Sequence, residues 1–352
     1  MSQDVAPHSA ASQQMPGPRP LPLFLELVRR AAENDPELAA AALRGLAKVQ
    51  QAPRTPRRQE RREFARVGAA TLLDCGGLGR PIVLVPSLIN PPHILDLDRD
   101  TSLAEALTGS GRVFLLDWGP AAMRRHLSIG GHIDALLIPL VRELGQPAVL
   151  IGYCLGGTMA LAAASALANS AVVTLASPWR FSAYLPGAVA SLSALWDDAR
   201  GTADHLGVLP VEVLQAAFWS LDPQRTVDKF AQLADIELDH PALQRFIALE
   251  DWANAGEPLP GSAARELIED FFVRDLPGRG EWKVGSRTIA LPSSPMLHVT
   301  AANDRIVPAE TAAPGSKLSC PSGHVGMIVG RHAAEKLHEP LREWLAALPP
   351  QG

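Results

Sequence analysis

One cysteine in this chain lies in a setting that could present it as a nucleophile. Cys154 lies within Gly152-Tyr153-Cys154-Leu155-Gly156, between an apolar run that predicts a buried strand and an alanine-rich run that predicts a helix. The flanking glycines predict a tight strand-to-helix turn, because a Cβ at either position would crowd the strand or the helix. A thiolate there exchanges readily with thioesters, which favours acyl transfer over plain ester hydrolysis. A lone cysteine is more often a small buried apolar residue, so its partners must decide between the two interpretations.

An acid and a histidine follow the cysteine in the chain order that such a turn requires. Asp304 comes just after the apolar run 294–300, which predicts a strand, and His324 lies 20 residues later in a glycine-flanked loop. Each of the two alone would be interpreted as a turn aspartate or a surface histidine. Together with Cys154 they predict a triad, in which His324 is the general base and Asp304 fixes its tautomer and stabilises the imidazolium.

Acyl transfer at Cys154 also requires two backbone N–H donors for the developing oxyanion. Leu155, directly after the nucleophile, is predicted to supply one, and Ile89 in the loop after an earlier strand is predicted to supply the other. Trp118 ends another predicted strand at the same edge, where it would shape the pocket or serve as a core aromatic residue. The sequence has no cysteine–histidine cluster and no glycine-rich phosphate loop, so we expect neither a metal nor a bound cofactor.

Composition limits the class of protein. The 352 residues, 47% of them hydrophobic, can form one large α/β domain with an insertion or two modest domains. A formal net charge of −5 gives no argument for a nucleic-acid partner, and three widely spaced cysteines suit a reducing cytoplasm. The N-terminus lacks the features of a secretory signal. The uncharged stretch between Glu143 and Arg180 is broken by glycine and proline, so we expect buried sheet strands there rather than a transmembrane segment.

Strands that alternate with helices predict an α/β fold with a mostly parallel, doubly wound sheet. After residue 180 the pattern becomes helical, which predicts a helical cap inserted before the last core strands. The basic run near residue 57 is expected to be a solvated linker, with a contact to an acidic partner or a phosphate as the alternative. The predicted boundaries are a disordered N-terminus (1–20), a helical segment with the basic linker (21–63), a first core part (64–179), the helical cap (180–285) and a second core part (286–352).

Taken together, these motifs resemble those of the poly(3-hydroxyalkanoate) synthases, α/β-hydrolase-fold proteins in which cysteine replaces serine in the lipase-like box. The resemblance covers roughly residues 64–180 and 286–345, and is carried by Gly152–Thr158, Val85–Asn90, Ile94–Leu97, Leu116–Gly119, Asp304–Pro308 and Gly323–Gly326. The chain departs from the family at Arg305, where many synthases have histidine. It also departs after Gly119, where Ile129-Gly130-Gly131-His132 replaces a D-D-Y helix start.

The resemblance implies an acyltransferase of the polyhydroxyalkanoate synthase type. A 3-hydroxyacyl group would pass from its coenzyme A thioester to Cys154 and then to the hydroxyl end of a polyester chain, with His324 as the base. The resemblance further implies a cytoplasmic protein at the polyester granule surface. The short length of the chain is similar to that of the synthase type that works with a second subunit. A homodimer is an alternative assembly.

Two other functions stay open at this point. The first is a thioesterase, esterase or depolymerase that uses the same triad with water as the acceptor. The second is a non-catalytic granule-associated or regulatory protein that retains the fold. Cysteine in the turn favours transfer over hydrolysis, and the complete set of Cys154, Asp304 and His324 argues against a non-catalytic role.

Overall fold

A computed structural model describes residues 17–54 and 61–350, and an eight-stranded sheet is the centre of this part of the chain. The order of the strands across the sheet is β1-β2-β4-β3-β5-β6-β11-β12. The strands are β1 (Arg62–Val67), β2 (Ala70–Gly76), β3 (Pro81–Val85), β4 (Arg112–Asp117), β5 (Ala148–Tyr153), β6 (Asn169–Leu175), β7 (Val208–Leu209), β8 (Leu259–Pro260), β9 (Lys283–Val284), β10 (Arg287–Thr288), β11 (Met296–Ala301) and β12 (Ser316–Cys320).

The sheet is parallel except at β2, which runs antiparallel to both β1 and β4. Every residue of β3 and β5 is buried, as expected for central strands that helices cover on both faces. The register pairs Val85 with Gly152 and Tyr153 with Leu175. The carboxyl ends of β3, β5 and β6 therefore meet at one edge of the sheet, next to Cys154. The predicted doubly wound α/β architecture is confirmed.

Helices connect the strands and form most of the region predicted to be a cap. The α-helices are α1 (Leu21–Ala32), α2 (Pro36–Gln51), α3 (Leu103–Ala106), α4 (Ala121–Arg124), α5 (Ile129–His132), α6 (Ile138–Arg142), α7 (Leu155–Ala164), α8 (Pro186–Leu206), α9 (Val211–Ser220), α10 (Pro223–Ala231), α11 (Pro241–Asn254), α12 (Gly261–Arg265), α13 (Leu276–Arg279), α14 (Gly326–Val329) and α15 (Glu339–Ala346). Shorter 3₁₀ turns are Pro92–Asp96, Phe181–Ala183 and Ala309–Thr311, and π-helical turns are Ile133–Leu137, Glu266–Val273 and Ala334–His338.

The contacts within the chain divide it into two compact units whose limits differ from the predicted boundaries. One unit contains helices α1, α2, α10 and α11, where the rings of Phe24 and Phe230 lie 4.7 Å apart. A Cβ at Gly45 would lie 1.9 Å from the carbonyl oxygen of Phe230, so α2 and α10 pack backbone to backbone. The predicted cap, 180–285, is therefore divided, because 222–254 packs with the N-terminal helices. Periodicity shows that a helix has an apolar face but does not identify its partner.

The larger unit contains the sheet, helices α3 to α9 and helices α12 to α15. Within the described ranges, no helix combines the length and apolar character needed to cross a bilayer. Residues 1–16, most of the N-terminus predicted to be disordered, lie outside the described ranges. Residues 55–60, at the centre of the basic linker, also lie outside them.

Candidate active site

Cys154 lies at the tip of the turn between β5 and α7, with φ of 55° and ψ of −131°. This is a conformation that residues with a side chain seldom adopt, so the neighbouring glycines must give the turn room. A Cβ at Gly152 would lie 2.3 Å from the backbone of the following helix, and one at Gly156 would lie 2.1 Å from the carbonyl oxygen of Val85. The backbone thus fixes the thiol at the carboxyl edge of the sheet.

The structure brings the three predicted triad residues together. His324 Nδ1 lies 2.7 Å from Asp304 Oδ2, and Cys154 interacts electrostatically with the same imidazole. Since Nδ1 binds the carboxylate, Nε2 is the ring nitrogen available to take the thiol proton. The other oxygen of Asp304 accepts hydrogen bonds from the amides of Ile306 at 2.8 Å and Val307 at 2.9 Å. The Asp304 side chain is fully buried and that of His324 nearly so, so both are held in one orientation.

The electrostatics of this cluster favour a charged imidazole. Burial alone lowers the pKa of His324, but the negative charges of Cys154 and Asp304, together with their hydrogen bonds, outweigh it and raise the pKa to about 10. An opposite charge in a low-dielectric site stabilises the protonated ring strongly. The cluster therefore stabilises the imidazolium that forms when His324 takes a proton, which is what a base for a cysteine nucleophile requires.

Two tyrosines interact with the charges of the site, and neither was predicted from the sequence to be functional. The Tyr153 ring packs against the ring of His324 with centroids 5.1 Å apart. Tyr184 packs on Phe181 and Phe272, with centroids at 6.0 and 4.9 Å. Burial raises the pKa of both tyrosines well above the ordinary value, and the charges of Cys154 and Asp304 raise it further. Tyr184 is thus within electrostatic reach of the nucleophile, although a single tyrosine in a helical stretch gives no sequence signal of this.

The predicted oxyanion donors lie at the start of α7 and in the loop of residues 86–90. Leu155 is the first residue of α7, where the amide has no partner within the helix. The Ile89 amide lies 3.4 Å from Ser87 Oγ, so it is engaged locally. The amide of Leu88, one residue earlier, makes no hydrogen bond within residues 17–54 and 61–350 and is a second candidate donor in this loop.

Trp118 fits both roles that the sequence left open, a core aromatic residue and a residue that shapes the pocket. It is a buried core residue with 3% of its surface exposed. Its indole Nε1 also donates a hydrogen bond of 3.1 Å to the carbonyl oxygen of Pro86, the first residue of the 86–90 loop. The core aromatic residue therefore contributes to the shape of the site through the loop.

The remaining cysteines are separate from this cluster. Cys75 and Cys320 are buried free thiols, and burial raises the pKa of Cys75 to about 12. Among the residues that the structure describes, no three His, Cys, Asp or Glu side chains are grouped so as to hold a metal ion. These two thiols have the character of apolar packing residues rather than of nucleophiles.

No family model matches the chain, but individual relatives do. Those found are named poly(3-hydroxyalkanoate) polymerase subunit PhaC. The one from Thiocystis violacea is 28% identical over 287 residues, which cover 75% of this chain and 80% of the relative. The one from Synechocystis sp. is 29% identical over 294 residues, which cover 76% of this chain and 77% of the relative. The chain spans 58% of the Haloferax mediterranei relative, at 27% identity.

Solved structures with the same fold are more distant in sequence. A hydrolase from Pseudomonas aeruginosa superposes with a TM-score of 0.52 at 17% identity, covering 79% of this chain and 94% of that one. The epoxide hydrolase of Bacillus megaterium superposes with a TM-score of 0.53 at 10% identity, covering 81% of this chain and 100% of that one. The α/β-hydrolase fold is thereby confirmed. The relatives confirm the predicted resemblance to the synthases and, with it, the prediction of an acyltransferase-type enzyme.

Proposed function

Because the chain is related to the poly(3-hydroxyalkanoate) polymerase subunits, we propose that it transfers 3-hydroxyacyl groups from coenzyme A thioesters, through a thioester at Cys154, to the hydroxyl end of a polyester chain. The observation that carries this proposal is the placement of Cys154, at the tip of its turn, in electrostatic contact with the hydrogen-bonded pair of His324 and Asp304. The family supplies the reaction type, and the cluster supplies a nucleophile, a base and an orienting acid.

The first half-reaction loads the enzyme. His324 Nε2 takes the thiol proton, and the thiolate of Cys154 attacks the carbonyl carbon of the acyl thioester. The oxygen of the tetrahedral intermediate is then stabilised by the Leu155 amide and an amide of the 86–90 loop. Collapse of the intermediate expels the coenzyme A thiolate, which accepts the proton from His324. Asp304 stays ionised throughout and stabilises the imidazolium.

The second half-reaction transfers the acyl group. The terminal hydroxyl of the polyester donates its proton to His324 Nε2 while its oxygen attacks the Cys154 thioester. The cysteine leaves as a thiolate, and the ester product is one monomer longer. The aromatic side chains of Phe181, Tyr184 and Phe272 pack together, and the charge of Cys154 reaches the Tyr184 member of this cluster. Apolar rings near a nucleophile support an organic hydroxyl acceptor over water, because excluding water suppresses hydrolysis of a reactive acyl enzyme.

The test is incubation of the purified protein with 3-hydroxybutyryl-coenzyme A. We expect release of free coenzyme A thiol together with insoluble polyester. The Cys154→Ala variant should lose both products, whereas Cys320→Ala, which removes a buried thiol outside the cluster, should retain both. Release with free hydroxyacid alone would support the hydrolase alternative. No release by the parent protein would support a non-catalytic role.

The wider assembly is proposed on the resemblance alone. We propose that the 3-hydroxyacyl-coenzyme A and the polyester chain are the small-molecule and polymer partners, that no separate cofactor is needed, and that the enzyme works at the surface of polyester granules. A second synthase subunit or a homodimer would complete the assembly. Analytical ultracentrifugation of the protein, alone and after incubation with substrate, distinguishes a monomer from these assemblies.

A further inference from the structure

The 86–90 loop is held at both ends by hydrogen bonds to its carbonyl groups. Trp118 Nε1 donates to the carbonyl oxygen of Pro86 at 3.1 Å, and the amide of Glu257 donates to the carbonyl oxygen of Ile89 at 3.2 Å. The backbone at residue 256 is packed against the loop, since a Cβ at Gly256 would lie 3.3 Å from the same Ile89 oxygen. The peptide groups on either side of the two candidate oxyanion donors, the amides of Leu88 and Ile89, are thus held between the end of β4 and the segment before β8.

The Glu257 side chain is itself tied to the chain that follows β4. Its Oε2 accepts a hydrogen bond from the amide of Ala121 at 2.5 Å and lies 3.7 Å from Arg124 Nη2. The two partners differ in burial, because Arg124 has 3% of its side chain exposed and Glu257 has 45%. A buried guanidinium needs its charge compensated, so the ion pair gives Glu257 one preferred position.

Arg124 is in turn oriented by two further groups. Its Nε donates to the carbonyl oxygen of Gly119 at 3.1 Å, and its Nη1 lies 3.2 Å from His132 Nε2. Burial lowers the pKa of His132 to about 4, so the ring is neutral at pH 7. His132 Nδ1 lies 2.7 Å from the carbonyl oxygen of Ser128. The proton is therefore assigned to Nδ1, and Nε2 accepts from the arginine.

These groups lie in the segment where the chain departs from the synthase pattern after Gly119. Gly130 belongs to the same segment, and its amide donates to Glu266 at 3.0 Å. The replacement for the family's D-D-Y helix start is therefore a segment that binds two acidic residues from the region 255–285. This placement links the departure in sequence to the loop beside the nucleophile.

We propose that Glu257 is a positioning residue for the 86–90 loop, and that Arg124 and His132 hold it in place. Glu257 does not touch substrate. Its backbone amide holds the Ile89 carbonyl at the end of the loop, and its side chain holds that backbone in place through Arg124 and Ala121. The inference rests on the proposed function only in requiring that Cys154 be acylated through a tetrahedral intermediate, whatever the natural acyl donor.

The test compares two reactions of Cys154. Acylation by p-nitrophenyl acetate passes through an oxyanion and depends on the loop, whereas alkylation by iodoacetamide forms no oxyanion and depends only on the thiolate. A shift of about 1 Å in a positioned donor can cost on the order of 100-fold. We expect Glu257→Ala to slow acylation by about that factor, while alkylation stays within twofold of the parent rate.

Two further variants separate positioning from general stability. Glu257→Gln keeps an oxygen for the Ala121 amide but loses the charge facing Arg124, so we expect a smaller decrease in acylation rate, about 10-fold. Glu269→Ala is the matched control: this carboxylate binds Trp196 Nε1 at 2.8 Å and Arg265 at 3.2 Å but makes none of the contacts to the 86–90 loop described above. This variant should acylate and alkylate Cys154 at rates within threefold of those of the parent protein.

The outcomes are distinct. The inference is overturned if Glu257→Ala acylates within threefold of the parent, if its alkylation falls in parallel with acylation, or if Glu257→Gln is as slow as Glu257→Ala. A parent protein that reacts with p-nitrophenyl acetate but not with 3-hydroxybutyryl-coenzyme A contradicts the proposed function and leaves this comparison of variants valid. A parent protein that reacts with neither ester contradicts both.

Discussion

The two sides of the candidate site are held in place by different means. On the nucleophile side, the position of Cys154 is set by backbone packing, including the Cys154 amide's hydrogen bond of 2.9 Å to Leu175 O and the close approach of Gly156 to Val85. On the loop side, residues 86–90 are held by the Trp118 indole and by Glu257, whose side chain pairs with Arg124. Backbone packing tolerates no added atom, whereas a set of side-chain contacts can lose one member and retain the rest. We therefore expect all-or-none effects on the nucleophile side and graded effects on the loop side.

The largest effect is expected from Gly156→Ala on the nucleophile side. The new Cβ would lie 2.1 Å from the Val85 carbonyl oxygen and 2.6 Å from that of Pro86, so the turn must shift. We expect loss of acylation by more than 10³-fold and destabilisation of about 3 kcal/mol. The control is Gly201→Ala in α8, where a Cβ would meet nothing within 4 Å. Activity assays measure the loss of acylation, and urea unfolding measures the loss of stability, in both variants. Normal activity in Gly156→Ala would show that the backbone does not fix the nucleophile.

Asp304→Asn should give the next largest effect, through the imidazole rather than the backbone. Loss of the carboxylate removes one of the groups that raise the pKa of His324 to about 10, so that pKa must fall. The amide also disfavours the tautomer with a proton on Nδ1, so we expect acylation to slow by about 10³-fold. NMR titration of the His324 ring reports this pKa. If the titration does not move to lower pH in the variant, Asp304 does not set the charge of His324.

Trp118→Phe tests the loop side with a smaller change. It removes only the N–H that binds Pro86 O, so we expect acylation to slow by about fivefold and stability to fall by about 1 kcal/mol. Trp282→Phe is the matched control, because its Nε1 binds buried Glu266 at 2.7 Å but makes none of the described contacts to the loop. It should lose stability without a comparable loss of acylation rate. Equal rate losses in the two variants would mean that the loop is not specifically held by Trp118.

The smallest effect on acylation is expected at a buried histidine that belongs to neither side. His338 is buried, its Nε2 has no partner among the described residues, and burial lowers its pKa to about 4. Since the unfolded state binds a proton near pH 6.5 and the folded state only near pH 4, stability falls as the pH is lowered between these values. We expect His338→Leu to reduce the loss between pH 7 and pH 5 by about 2 kcal/mol.

Activity provides the control for that variant. His338→Leu should acylate at the parent rate, because the site on either side is unchanged. Thermal unfolding at pH 7 and pH 5 gives the stability difference. An identical pH dependence in parent and variant would show that His338 titrates normally in the folded protein.

The nucleophile side could be predicted from sequence because its determinants are local. Glycines beside a cysteine, an apolar run before it, and the later acid and histidine loops each leave a signal in a few consecutive residues. The structure places Cys154, Asp304 and His324 in one cluster, and the strand pattern predicted the sheet. The fold could be predicted for the same reason, since central strands such as β3 and β5 are short apolar runs of consecutive residues.

The loop side could not be predicted because its determinants come from separate segments. Nothing in the residues around Glu257 indicates that its amide meets Ile89 or that its carboxylate meets Arg124. The sequence also left Trp118 with two interpretations, and only the contact with Pro86 shows that both hold. Likewise, the helical pattern placed 222–254 in the predicted cap, and only the packing of α10 on α2 shows that this segment lies with the N-terminal helices.

The left-handed backbone of Cys154 has a consequence for how such an enzyme can evolve. A φ of 55° tolerates an unbranched side chain but strongly disfavours a β-branched one. Serine could therefore replace cysteine with the backbone, His324 and Asp304 left as they are, whereas threonine could not. A single substitution separates a thiol enzyme from a serine enzyme on this scaffold, so exchange between the two nucleophiles is an accessible step in divergence.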